Sequence, residues 1–539
     1  MTEPKTLLDL AGEEQAKYQT PIVMGKLDHV WHDLQTPIRG RQAELIELDT
    51  EPGWRTYRRS VLFLLVTAVQ ELYPEAQVIA QFTANKGLFC EIHSSAWTLN
   101  LERTQAIAAQ MRKIVAEDRP IVKKTCPREE AVALFTAHKQ PAKAKLVAEL
   151  AQDMVSIYQC GGTEDYFYGA MVPHTGLLDR FALDYEAPGV LLRTPDVLTH
   201  GEVRAYVPQP KLSHVLSESE EWARILDCQY VSDLNRLNRT GQMGEVIRVS
   251  EALQEKHIAQ IAEHIAGHHD ALRLVLIAGP SSSGKTSFAQ RLRIQLRTNG
   301  LHPISISLDD YFKNRIDTPR LPNGEYDYEC LEALDVAQFN QDMLALMAGK
   351  SVMLPLYNFL TGEREWHEER TISVAAGEPI IIEGIHGLNE KLTEAVPRAN
   401  KYKIYVSALN QLNIDAHNRI PTTLARLMRR LVRDYQFRGA HAVKTLHQLP
   451  VVRAGEEKYI FPYQEEADVM FNSALIYELG ILKRYARPLL EHVTPDVPEY
   501  TMAQYLLSFF QYADDVTDED DVPNNSILRE FIGKSVFFK

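Results

Sequence analysis

Residues 272–297 read LRLVLIAGPSSSGKTSFAQRLRIQLR, and the fold follows from how this stretch divides. Leu272–Ala278 is a short apolar run, the pattern of a strand buried on both faces. Gly279-Pro280-Ser281-Ser282-Ser283-Gly284-Lys285-Thr286 fits the spacing G-x-x-x-x-G-K-[ST], and Thr286–Arg297 has helical periodicity. A strand, a glycine loop and a helix in that order turn successive N–H groups toward a phosphate, and the helix N-terminus adds a favourable dipole. The whole loop, with Ser287 behind it, is therefore expected around the phosphates of ATP. Lys285 would reach the β- and γ-phosphates, and Thr286 would hold Mg²⁺.

Outward from the loop the pattern stays βαβ. Ile304–Leu308, Pro379–Ile382 and Tyr402–Val406 read as further parallel strands, separated by helical patterns over Leu334–Ala348 and Thr422–Phe437. Strands alternating with helices predict a doubly wound sheet that binds ligands at the strands' carboxyl ends. The first 200 residues differ. Residues 20–50 read as a small α+β module, 55–155 are richer in amphipathic helix, and 206–268 read as a helical connection. The predicted fold class is α/β, a C-terminal parallel-sheet domain preceded by α+β modules.

The composition fits a globular chain. The 539 residues are 45% hydrophobic and 24% charged, with a net charge of -14 that disfavours a general basic field for nucleic acid. Cys90, Cys126, Cys160, Cys228 and Cys330 lie far apart with no CxxC pair, which argues against a zinc ribbon or a disulfide framework. The opening MTEPKTLLDLAGEEQ is acidic and lacks an apolar core, and the longest apolar run, Val61–Val69, is about half of what a membrane span needs. A cytoplasmic protein with no membrane partner is the expectation.

Several polar groups fall where chemistry would need them. Ser307-Leu308-Asp309-Asp310-Tyr311-Phe312 puts two carboxylates at the end of the second strand, where one could orient and deprotonate an acceptor hydroxyl. Ile380-Ile381-Ile382-Glu383 is an apolar strand ending in an acid suited to Mg²⁺. Arg426, Arg429, Arg430, Arg433 and Arg438 crowd one helix, the pattern of a lid that stabilises a transferring phosphoryl group. Other signals are weaker. His257, His264 and His268 have metal-compatible helical spacing but no evident further ligand, so they read as a solvated face, as does the acidic run Asp514–Asp521. His386 follows the Glu383 strand, and Asn413, Asp415, His417, Asn418 and Arg419 cluster before the lid helix.

The motifs GPSSSGKTSFAQRL, SLDDYF, YDYECLEALD, LPLYNF, IIIEGIHGLN and RRLVRDYQFRG, in this order, resemble the uridine kinase family. The likeness covers roughly Leu272 to Tyr485 and extends to phosphoribulokinases. It implies that Asp309 is the catalytic base, with Lys285, Arg433 and Arg438 serving phosphoryl transfer. It also implies that Tyr311, Glu329, Tyr357, Arg430 and Arg438 meet the acceptor, Glu329 holding ribose hydroxyls and Tyr357 lying near the base. Two positions depart from the family: its base-reading His is Gly362 here, and a lid Arg is Ala440.

Residues 1–51 resemble a TGS domain. Residues 52–205 resemble the second additional domain of threonyl-tRNA synthetase, through RSVLFLLVTAVQELYP, MRKIVAEDRPIVKKTCPREEAVALF and YGAMVPHTGLLDRFAL. The synthetase's editing positions are Arg59, Phe63, Phe167 and Met171 here, residues that neither bind a metal nor position a hydrolytic water. The resulting domain plan is 1–51, 52–205, a helical connection 206–268, a kinase-like domain 269–500 and an extension 501–539. The expected activity is ATP-dependent transfer to a nucleoside hydroxyl. The alternatives are a sugar-phosphate acceptor, or a tRNA-associated regulatory ATPase using a basic face of Arg55, Arg58, Arg59, Arg112, Lys113, Lys123, Lys124, Lys143 and Lys145.

Overall fold

The computed structural model describes residues 4–322, 324–410 and 412–538. Its centre is a five-stranded sheet in the order Ile304–Ser307, Ile380–Glu383, Leu274–Ala278, Lys401–Ser407, Val469–Asn472, with every pair parallel. The mixed α/β class expected from the sequence is present. Alternation along the central strand shows why it is apolar throughout. Leu274 and Leu276 pack with Phe339, Met343 and Leu346 on one face, while Val275 and Ile277 pack with Phe288, Leu292 and Leu296 on the other. Each such side chain contributes about 1.5–3 kcal/mol on burial. The edge strand Val469–Asn472 was not anticipated, since four residues outside the alternating pattern give little periodicity to read.

Helix Lys285–Thr298 leaves the central strand through the glycine loop and packs against the long helix Met243–Gly267, where buried Arg291 bonds Glu255 (2.6 Å). The basic helix Thr422–Arg438 ends at Gly439, whose φ of 59° supplies the left-handed cap that a side chain would resist.

In the first 200 residues, strands Val30–His32, Ile22–Leu27 and Ala43–Glu47 form one antiparallel sheet in that order. Helix Glu51–Leu72 follows, its start capped by Thr50 Oγ1 accepting from Gly53 N–H (3.2 Å). Val61–Val69 is its buried middle, enclosed on all sides, which explains an apolar run without a helical stripe. Among the described residues no helix is long and apolar enough to cross a membrane.

The two halves meet in a buried polar cluster. Asp165 accepts from Lys143 Nζ and bonds His417 Nδ1 (2.6 Å), while His417 Nε2 donates to the Val78 carbonyl (2.9 Å). Lys143 is therefore not part of a basic face: it is 1% exposed and neutralised. Lys123 and Lys124 stay at the surface, paired with Asp33 (2.9 Å) and Glu164 (3.0 Å). The acidic run also differs from a solvated loop. Asp514 binds Arg239 (2.7 Å), Asp515 binds Lys483 (3.2 Å), and Val516 is fully buried against Gly480.

Candidate active site

The phosphate loop is shaped by contacts only glycine permits. A Cβ on Gly279 would lie 1.9 Å from the Val406 carbonyl oxygen, and Gly284 takes φ 83° at the start of the helix. Ser282 adopts φ 58°. The hydroxyls of Ser282 and Ser283 are buried with no hydrogen-bond partner among the described residues, an arrangement that suits an anion. Lys285 Nζ donates to the carbonyls of Gly279 (3.0 Å) and Pro280 (3.1 Å), inside the loop it would release on meeting a phosphate.

Three adjacent strands bring the acids together. Glu383 ends its strand in register with Ile277 on one side and Ser307 on the other, so the glycine loop, Glu383 and Asp309 leave the sheet side by side. Thr286 Oγ1 donates to Glu383 Oε1 (2.7 Å). Burial pushes the Glu383 carboxyl up to about 7, with Glu530 and Asp309 adding repulsion against Thr286 and Lys285. Hard oxygens of Thr286 and Glu383 fit Mg²⁺.

Asp309 and Asp310 are not equivalent. Asp310 binds Arg370 (2.8 Å) and is also approached by the Tyr357 N–H. The Asp309 carboxylate has no hydrogen bond or ion pair among the described residues and opens into the cleft. Desolvation raises it above the ordinary aspartate value, while Lys285 pulls it back.

The arginines separate into two sets. Arg429 is fully buried on Glu478 and the Ser473 carbonyl (2.7 Å), and Arg426 is buried on Glu456. Arg430 reaches the loop, donating to Ser281 Oγ (3.0 Å), and Arg433 and Arg438 gather with it around Asp434 at 2.8 and 3.8 Å. Arg430, Arg433 and Arg438 thus line the cleft side, whereas Arg426 and Arg429 hold the fold.

The acceptor end holds one correction. Tyr311, expected at the substrate, is 0% exposed, and its hydroxyl donates to Asp342 (2.9 Å). A single turn of 3₁₀ helix over Leu308–Tyr311 sends Asp309 outward and Tyr311 into the core, so Tyr311 supports the floor of the site from behind. Tyr357 packs with Phe312 (5.5 Å) and Phe359 (5.0 Å) in an aromatic cluster. Burial, then Glu456, raises Glu329 to about 7 against the pull of Arg430. Gly362 has φ 77°, and a Cβ there would sit 2.6 Å from the Arg315 guanidinium. Arg315 fills that space, bonding the Phe359 carbonyl (2.8 Å) and the Tyr328 hydroxyl (3.3 Å). His386 is buried beside Tyr459, and desolvation pushes it down to about 4, which keeps it neutral.

The sequence reading missed Glu530. It accepts from both the N–H (3.1 Å) and Oγ (2.8 Å) of Ser287, and neighbouring Ile527 packs on Gly284. No local signal marks it, because it lies 243 residues from its partner.

The four editing positions also come together. Phe63 packs on Phe167 (5.3 Å), Arg59 donates to the Ala170 carbonyl (2.6 Å), and Met171 lies against Ser60. Among the described residues no group of three or more His, Cys, Asp or Glu could hold a metal ion. His257 instead binds Glu218 (3.2 Å), and His264 packs against Tyr402.

Residues 274–477 match the Phosphoribulokinase / Uridine kinase family, which supports an ATP-dependent phosphotransferase in that segment. A solved structure described as a possible uridine kinase from Bacillus stearothermophilus is 21% identical, covering 40% of this chain and 98% of that one at a TM-score of 0.28. The N-terminal region is similar to threonine–tRNA ligases. That of Polaromonas naphthalenivorans (strain CJ2) is 32% identical over 182 residues, 33% of this chain and 28% of the ligase. That of Acidovorax sp. (strain JS42) is 36% identical over 132 residues, 24% of this chain and 20% of the ligase. The chain therefore spans under a third of the length of these ligases.

Proposed function

We propose that the protein transfers the γ-phosphate of ATP to a hydroxyl of a small molecule, with a nucleoside as acceptor. The observation that carries this reading is the convergence of the glycine loop, Glu383 and unpaired Asp309 at the ends of three adjacent parallel strands. The loop amides and Lys285 hold the phosphates. Thr286 and Glu383 would hold Mg²⁺, which screens phosphate charge when bound. Asp309 orients the acceptor hydroxyl and takes its proton, and Arg430, Arg433 and Arg438 stabilise charge on the moving phosphoryl group. Tyr357 and Phe312 are themselves buried and back the exposed ring of Phe359, which offers an aromatic face for a base, and Glu329 offers a carboxylate for ribose hydroxyls.

A second acceptor class is favoured by one specific feature. Arg315 occupies the space beside Gly362 and touches no carboxylate among the described residues, so it could clamp a sugar phosphate. Product analysis by mass spectrometry, after incubation with Mg²⁺, ATP and a panel of nucleosides and sugar phosphates, separates the two. A phosphorylated nucleoside, formed also by Arg315→Ala, supports the first reading. A sugar bisphosphate lost in Arg315→Ala supports the second, and no phosphorylated product of either class overturns both.

A further inference from the structure

A cavity of about 840 Å³ lies between the 52–205 module and the kinase-like domain, within the size range of small-molecule sites. Nine arginines and lysines line it against four carboxylates. All four carboxylates are already committed. Glu51 binds Arg55 (2.5 Å) and Arg453, Asp196 binds Arg204 (2.6 Å), Glu456 binds Arg426, and Glu457 lies 3.8 Å from Arg204.

Three guanidinium groups are left over. Among the described residues Arg58, Arg59 and Arg419 have no carboxylate within ion-pair distance. Arg58 lies over the Trp54 ring at 4.4 Å, Arg59 holds only the Ala170 carbonyl, and Arg419 holds Thr83 Oγ1 (3.0 Å) with its Nε buried and unpartnered. Burial, with Arg419, Arg55 and Arg59 close by, pushes Arg58 down to about 9. Unpaired cations in a half-enclosed space are costly unless an anion joins them. The remaining wall is apolar and aromatic, with Leu62, Leu192, Leu212, Trp54, Tyr168 and Tyr505. Arginines interleaved with aromatic rings, Arg58 over Trp54 and Arg55 over Tyr505 (5.6 Å), suit a ligand that carries both phosphates and a planar base.

We propose that this cavity is a second nucleotide site, which binds the phosphates of a nucleoside di- or triphosphate on Arg58, Arg59 and Arg419 and its base against the Trp54, Tyr168 and Tyr505 wall. It is separate from the glycine loop, with the Arg426–Glu456 pair standing between them. The site exists only where the two halves meet, since Arg58 and Arg59 come from one and Arg419 from the other.

The test is equilibrium dialysis of the full chain carrying Lys285→Ala, which weakens the glycine-loop site. The probes are ADP, GDP, UDP and their triphosphates, with pyrophosphate and the free nucleosides as controls. The expected result is one nucleotide bound per chain, with a change in fluorescence that disappears when Trp54→Phe is added. Adding Arg58→Met and Arg419→Met raises the dissociation constant about tenfold or more. Retained ATP binding by an Arg58→Met/Arg419→Met protein with Lys285 intact shows that the loss is local. Three results would overturn the proposal: none of the six nucleotides binds, the arginine substitutions leave binding unchanged, or nucleosides or pyrophosphate bind as tightly as the nucleotides.

Discussion

Glu530 accepts two hydrogen bonds from Ser287, which places a carboxylate from the last turn of helix in the chain at the N-terminus of the phosphate-loop helix. A negative charge there stabilises the helix through its dipole and repels an incoming phosphate drawn to the same N-terminus. Glu530→Gln is therefore expected to tighten ATP binding about two- to fivefold, measured by titration calorimetry. Weaker binding would show that Glu530 organises the loop rather than competing for it.

Arg426 and Glu456 set the other side of the loop. Glu456 Oε1 accepts from the Ser281 N–H (3.2 Å), and Arg426 donates to the Ser281 carbonyl (3.1 Å). Both side chains are buried, so Glu456→Gln leaves an uncompensated guanidinium. The expected loss is about 3–5 kcal/mol of unfolding free energy in a urea titration. An unchanged midpoint would mean that the pair is dispensable.

Protonation should control metal use. Glu383 is raised to about 7, so near neutrality a proton competes with Mg²⁺ for its carboxylate. The Mg²⁺ concentration needed for half-maximal activity should rise as pH falls from about 8 to about 6. Glu383→Gln should need more Mg²⁺ at every pH and lose that dependence. A wild-type Mg²⁺ requirement that is flat over this window would exclude the role given to Glu383.

The cluster joining the halves makes a prediction of opposite sign. Burial opposes ionisation of Asp165, yet Lys143 and His417 together hold it down to about 2. A depressed carboxylate stabilises the fold above its unfolded value of 3.8, and this contribution is lost as pH falls through about 2. Lys143→Met removes the main partner and leaves a buried carboxylate. It should destabilise the protein by about 3–5 kcal/mol at pH 7, read by chemical denaturation. The variant's deficit should shrink between about pH 4 and pH 2. A deficit that stays constant on acidification would argue against an ionised Asp165.

The parts legible in the sequence are those fixed by near neighbours. Leu272–Ala278, the glycine loop and the following helix are one continuous stretch, and their strand, turn and helix follow from local periodicity and glycine spacing. The paired acids at 309 and 310 were visible, but which one is free was not, because Arg370 decides it from a different strand. Tyr311 was misjudged for a related reason: one 3₁₀ turn reverses the face, and no motif records that. The basic residues scattered between Arg55 and Lys145 do not share one face, since Lys143 turns inward to Asp165 while Arg58 turns to a cavity formed by both halves. Glu530 was beyond reach, being brought to Ser287 only by the burial of Ile527, Leu528 and Phe531.

The central claim is phosphoryl transfer to an acceptor activated by Asp309. Its most direct test is acceptor-dependent ADP release with Mg²⁺ and ATP, comparing the wild type with Asp309→Asn. The account predicts that at least one nucleoside or sugar phosphate raises ADP release above the acceptor-free rate, and that Asp309→Asn lowers this rate about 10²–10⁴-fold with ATP binding retained. If no acceptor raises ADP release, or if Asp309→Asn turns over at the wild-type rate, the account is wrong.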